Sequence, residues 1–119
     1  MTASLEPIEN RTFDEIAIGD RATLQRRLTM DDIKLFAVMS GDVNPAHVDE
    51  DFARSSRFNQ IIAHGMWGGA LISTILGTEM PGPGTIYLGQ TLRFLAPVVL
   101  GDLLTVTIEA VEKKPLKHR

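Results

Sequence analysis

Residues 65–79, GMWGGALISTILGTE, are apolar on nearly every side of a helical wheel. A helix of that kind has almost no polar face to offer to water, so the rest of the chain is expected to cover most of its surface. Gly68, Gly69 and Ala70 lie inside the run, although each glycine costs about 1 kcal/mol of helix propensity against alanine. Small residues there are expected to let a sheet come close to the helix backbone. MPGPG at 80–84 then stops the helix with two prolines and two glycines. The run is too short, and too broken by Gly, Ser and Thr, to span a bilayer.

The flanking segments supply what would cover such a helix. In FDEIAIGDRATLQRRLT, residues 13–29, a Gly19–Asp20 turn precedes an alternation through Ala22, Leu24, Arg26 and Leu28 that predicts a half-buried strand. Thr29 with Asp32 resembles an N-cap with an acid three residues on, a looser form of the capping box. Ile33, Phe36, Ala37 and Val38 continue at helical spacing up to Gly41, which ends the helix. DEDFARSSRF, residues 49–58, reads as one or two turns of amphipathic helix. TIYLGQTLRFLAP, residues 85–97, alternates through Ile86, Leu88, Leu92 and Phe94 and predicts a strand with an irregularity near Gly89. GDLLTVTIEAVEKK, residues 101–114, alternates through Leu104, Val106, Ile108 and Ala110 and is rich in Val and Thr, which also favours a strand. With no repeat or linker, residues 1–119 read as one α+β domain with an antiparallel sheet packed on a central helix.

Composition removes several functions. A net charge of −3 gives no basic stripe for nucleic acid, and the basic tail KKPLKHR reads as a solvated terminus. Without cysteine there is no disulfide, thiolate nucleophile or Cys-rich metal site. Three histidines without Cys or a tight His/carboxylate spacing give only a weak case for a metal, and neither a metal nor another cofactor is expected. GPGT lacks the lysine and spacing of a phosphate-binding loop, and no dinucleotide-binding glycine pattern occurs. The N-terminal residues show no apolar leader, so a cytoplasmic protein away from membranes is the expectation.

Two constellations remain. SGDVNPAHVDE, residues 40–50, places Asp42, Asn44 and His47 around Pro45. A carboxylate and an imidazole on a stiffened loop suit acid–base work on a shared water, while Asx turns and caps would account for Asp42 and Asn44 without any chemistry. Asn44 is a candidate to orient Asp42 or to contact a substrate. In IIAHGMWGG, residues 61–69, Gly65 stands where the apolar helix begins, so its N–H can face an anion or a polarised carbonyl. His64 beside it reads first as a hydrogen-bonded structural residue and next as a substrate contact. Trp67, the single tryptophan, reads as core or pocket wall, and Phe36, Met39 and Ile72 are further candidates to line a pocket.

SGDVNPAHVDEDFARSSRF, IIAHGMWGGALISTILG and GTIYLGQTLRFLAPVVLGD together resemble the MaoC-like (R)-specific enoyl-CoA hydratases, above all the hydratase part of bifunctional hydratase/phosphate acyltransferases. The resemblance spans about residues 13–112. It implies the hot-dog fold, in which an antiparallel sheet wraps a long central helix. It also implies catalytic roles for Asp42 and His47 and an oxyanion-binding N–H at Gly65. The implied reaction is reversible addition of water to a trans-2-enoyl-CoA, giving the (R)-3-hydroxyacyl-CoA in a homodimer or higher homo-oligomer. Members typically continue beyond the position matching Val111 with strands that complete the sheet, so the chain is expected to be short at its C-terminus. Two other readings stay open: a non-catalytic acyl-CoA-binding or assembly module, and a 3-hydroxyacyl thioester dehydratase of fatty-acid synthesis. For the latter, Arg54, Arg57 and the tail are candidate contacts for an acidic acyl-carrier protein.

Overall fold

The computed structural model describes residues 8–115; the last four residues of the basic tail lie outside them. The element order is β1 (Arg21–Arg27), α1 (Met30–Ser40), α2 (Pro45–Val48), α3 (Glu50–Ser55), α4 (Gly65–Thr78) and β2 (Leu103–Glu109). The chain forms two compact units, Met1–Leu24 with Leu71–Gly89 and Val106–Arg119, and Gln25–Ala70 with Gln90–Thr105. Strands β1 and β2 pair antiparallel.

In the first unit the register is fixed by side-chain pairs across the ladder. Arg21 Nε donates to Glu109 Oε1 at 2.8 Å, and the Thr23 and Thr107 hydroxyls meet at 3.2 Å. Cross-strand pairs of this kind are the unit from which sheets gain stability. Ile75, fully buried, and Met80, 3% exposed, supply the core here. Arg11 Nη2 holds the Asp20 carboxylate at 2.7 Å, and the same oxygen accepts the Ala17 N–H at 2.9 Å. The Ala17 N–H first, and Arg11 after it, keep the Asp20 carboxyl below its ordinary pKa. A cleft of about 740 Å³ in this unit is lined by Arg11, Phe13, Leu76, Met80, Tyr87 and Lys113 among others.

In the second unit the ladder continues through Gln25 Nε2, which donates to Thr105 Oγ1 at 3.0 Å. Helix α1 starts on the expected cap in its full form: the Asp32 N–H donates to Thr29 Oγ1 at 3.2 Å, and the Thr29 N–H donates to Asp32 Oδ2 at 3.1 Å. Gly41, at φ 80°, closes the helix and donates its N–H to the Ala37 carbonyl. Leu28 and Ile33, each 1% exposed, and Ala53, fully buried, form the core with Ala37. Asp32 is itself buried, and Arg26 Nη2 reaches it at 2.7 Å. Burial pushes the Asp32 carboxyl up, but the Thr29 N–H and the Arg26 guanidinium together outweigh burial and hold it below the usual carboxylate range.

A depressed folded-state pKa stabilises the fold fully above the unfolded value, about 3.9 for Asp, and that stability is lost as pH falls through the folded value. Asp32→Asn is therefore expected to lower stability by about 1–2 kcal/mol at neutral pH, and to narrow the gap to the parent below about pH 4. Thermal midpoints of both proteins measured from pH 7 to pH 3 check this.

Three expectations are corrected. Residues 85–97 form no strand, and Ile86, Leu88, Phe94 and Leu95 stand exposed. Alternation supplies only a context-dependent preference of about 1 kcal/mol; a strand also needs a ladder, and the ladder among the described residues joins β1 to β2. Helix α4 is buried along a stripe, Trp67, Leu71 and Ile75 at four-residue spacing, while Met66, Ala70, Ser73, Thr74 and Gly77 are exposed. Most of that outer face is small or hydroxylated and carries little apolar area, so leaving it in water costs little. Close approach at the helix glycines holds only in part. Nothing lies within 4 Å of a Cβ built on Gly68, whereas one on Gly69 meets Met66 Cε at 3.0 Å and Leu92 Cδ1 at 3.6 Å; at the helix start, one on Gly65 meets the Phe94 ring at 3.3 Å.

Candidate active site

The loop after α1 is built by short polar bonds. Ser40 Oγ takes the Asp42 N–H at 3.1 Å, and Asp42 Oδ1 takes the Asn44 N–H at 3.2 Å. Asn44 Oδ1 then accepts the Ala46 N–H at 3.0 Å and caps α2, with Pro45 at its first position. This helical turn was not expected, although an Asn cap before a proline is its usual sequence signal. It carries His47, while Asp42 stays outside it, exposed to solvent.

The segment before α4 comes to the loop. The Ile62 N–H reaches the Ala46 carbonyl at 3.4 Å, and His47 Nδ1 lies 2.7 Å from the Ile62 carbonyl. A carbonyl only accepts, so Nδ1 carries the proton and neutral His47 keeps a lone pair on Nε2. His64 Nε2 lies 2.9 Å from the Asp42 carbonyl and by the same reasoning donates to it, which leaves the lone pair on Nδ1. The two imidazoles stack with centroids 4.0 Å apart, and the Phe36 ring lies 4.7 Å from His64. His64 is 3% exposed, and its Nδ1 is buried without a hydrogen-bond partner. One donor atom each from Asp42, His47 and His64 lies within 4.8 Å of the others.

Gly65 opens α4 directly after His64, whose carbonyl accepts the Trp67 N–H at 3.0 Å. As a first-turn residue, Gly65 has no intrahelical acceptor for its own N–H. Trp67 is 7% exposed and belongs to the core. Of the other pocket candidates, Met39 is exposed, while Phe36 touches His64. Arg54 is held by Glu50 at 3.0 Å and Asp51 at 3.8 Å, and Arg57 lies 4.8 Å from the centroid of the Phe58 ring.

Known proteins now bear on this geometry. The MaoC like domain matches residues 15–119. The chain belongs to the MaoC-like domain family. An (R)-specific enoyl-CoA hydratase of Rhodospirillum rubrum is 47% identical over 88% of this chain and 73% of its own length. A 3-hydroxybutyryl-CoA dehydratase of Methylorubrum extorquens is 41% identical over 90% of the chain and 68% of its own length. The solved structure of an R-hydratase from Pseudomonas aeruginosa is 50% identical and superposes with a TM-score of 0.87, over 89% of this chain and 68% of that one. Relatives so named are hydro-lyases, and the fold of this MaoC-like chain is the hot-dog fold. Among the described residues no helix is long and apolar enough to cross a membrane.

Within this MaoC-like domain the loop motif and the His64–Gly65 step single out Asp42, His47 and His64 as candidates but not their arrangement. The contact of His64 with both Asp42 and His47 joins positions 22 and 17 residues apart, and no local pattern encodes such a meeting.

Proposed function

We propose that the chain is an (R)-specific enoyl-CoA hydratase that adds water reversibly to a trans-2-enoyl-CoA. The observation that carries this reading is the pair formed by an exposed Asp42 carboxylate and a His47 whose Nε2 lone pair is kept free by the bond from Nδ1 to Ile62. In the reaction, a water held between the two loses a proton as its oxygen bonds to C3 of the enoyl group. The electron pair of the double bond passes to the thioester, and a proton is delivered to C2. The pair shares these duties, each group exchanging protons with the one water held between them. The charge that develops on the thioester oxygen is met by the Gly65 N–H at the start of α4, where backbone donors and the helix dipole favour a negative charge.

Dehydration of a 3-hydroxyacyl thioester is the same chemistry reversed. The acyl-carrier version of that reading loses support because Arg54 is already engaged by Glu50 and Asp51. The binding-module alternative predicts affinity without turnover. A homodimer or higher oligomer belongs to the same proposal, supported by exposed apolar residues such as Val38 and Leu95, each 83% exposed. So do the single-domain reading, the cytoplasmic placement and the likeness to the hydratase part of bifunctional enzymes.

Chiral analysis of the product formed from a trans-2-enoyl-CoA tests the proposal: the (R)-3-hydroxyacyl thioester supports it, and the (S) product or none overturns it. The oxyanion role has its own test. Gly65→Pro removes the N–H at a first-turn position where proline is tolerated, and Gly65→Ala adds the same Cβ against Phe94 but keeps the donor. Gly65→Pro is expected to lose about 10²–10³-fold in kcat, and Gly65→Ala far less. Equal losses in both would place the effect in packing against Phe94.

A further inference from the structure

We propose that His64 is a positioning residue that holds Asp42 and His47 in working alignment; the proposal rests on the hydratase reading of that pair. His64 touches both members. Its Nε2–H donates to the Asp42 carbonyl at 2.9 Å, and its ring stacks on the His47 imidazole with centroids 4.0 Å apart. At 3% exposed, His64 has almost no surface left for a substrate, so it acts through its neighbours and not on the reacting atoms. The pair needs such a brace. Asp42 is exposed and sits on a loop bonded locally to Ser40 and Asn44. His47 rides on α2, four residues long, and a helix of that length has little stability of its own. A misplacement of about 1 Å in an active site can cost about 10²-fold in rate.

The segment that carries His64 is tied down on its own account. The Ala63 N–H donates to the Val98 carbonyl at 2.8 Å, Ile62 forms an antiparallel bridge with Val99, and the Leu100 N–H reaches the Ile61 carbonyl at 3.4 Å. His64 is therefore the firm side of the contact and the Asp42 loop the compliant one. The residue type points the same way. His64 Nδ1 is buried without a hydrogen-bond partner, which is unfavourable in a residue that serves packing alone. A phenylalanine would supply a ring there with no polar atom to bury. What the imidazole offers in its place is the Nε2 donor on the Asp42 carbonyl.

The test compares His64→Phe, which keeps a ring and loses the donor, with His64→Gln, whose side-chain N–H can reach the same carbonyl. With crotonyl-CoA, His64→Phe is expected to lower kcat by about 10–10²-fold with KM little changed, while its thermal midpoint equals or exceeds that of the parent. His64→Gln should recover most of the lost kcat. A residue that only packs would give the opposite order, with His64→Phe the more active variant. Unchanged kcat in His64→Phe, or equal losses in both variants, would overturn the proposal. Hydrogen exchange without substrate separates it from the hydratase reading. The His47 and Asp49 amides, bonded to the Asn44 and Pro45 carbonyls at 2.9 Å, should exchange at least about tenfold faster in His64→Phe than in the parent, with the β1–β2 ladder unchanged. An inactive parent whose exchange responds in this way counts against the hydratase reading alone. An active parent whose kcat and exchange both ignore His64→Phe counts against the brace alone.

Discussion

Asp42→Asn is expected to lower kcat for hydration of a trans-2-enoyl-CoA by about 10²–10⁴-fold, the range of a lost acid–base group, with KM little changed. The substitution is close to isosteric, and the Asn44 N–H that Asp42 Oδ1 now accepts at 3.2 Å can be accepted equally by an Asn oxygen. The backbone carbonyl that receives His64 Nε2 is untouched. What disappears is the negative charge and the ability to take a proton. Because the side chain is exposed, stability should stay within about 0.5 kcal/mol of the parent. Steady-state kinetics beside thermal unfolding separate the two effects. A variant that unfolds early would say instead that Asp42 holds the loop, and full activity would remove it from the chemistry.

His47→Gln should have an effect of the same size, for a complementary reason. His47 is fixed through Nδ1 to the Ile62 carbonyl at 2.7 Å and stacked on His64 at 4.0 Å, so its free Nε2 has a defined direction. A glutamine can reproduce the anchoring hydrogen bond but has no nitrogen that takes up and returns a proton near neutral pH. A kcat loss of about 10²–10⁴-fold is expected. If Asp42 and His47 act on one water as a unit, the double variant should be little worse than the more damaged single one, because members of a catalytic unit are strongly non-additive. Additive losses on the logarithmic scale would instead indicate two independent contributions.

Sequence patterns located what is local. The Thr29 cap, the Gly41 stop, the β1 and β2 alternations and the start of α4 at Gly65 all depend on residues within a few positions of one another, and all stand where expected. The helical turn at Pro45–Val48 was legible in principle, through Asn44 as cap and Pro45 at the first position. Residues 85–97 show the opposite case, since their alternation, interrupted near Gly89, is taken up by no ladder. The site divides in the same way. Asp42, Asn44 and His47 were visible as a loop motif, whereas the stacking of His64 on His47 and its bond to Asp42 arise only when residues 61–64 are laid against that loop.

The ultraviolet absorbance of crotonyl-CoA reports whether this chain hydrates enoyl thioesters with Asp42 as part of its acid–base pair. The purified chain is added, with Asp42→Asn alongside and folding of both checked by circular dichroism. A rapid loss of the enoyl absorbance is expected with the parent and almost none with the variant. No loss with a folded parent, or equal loss with both, would contradict it.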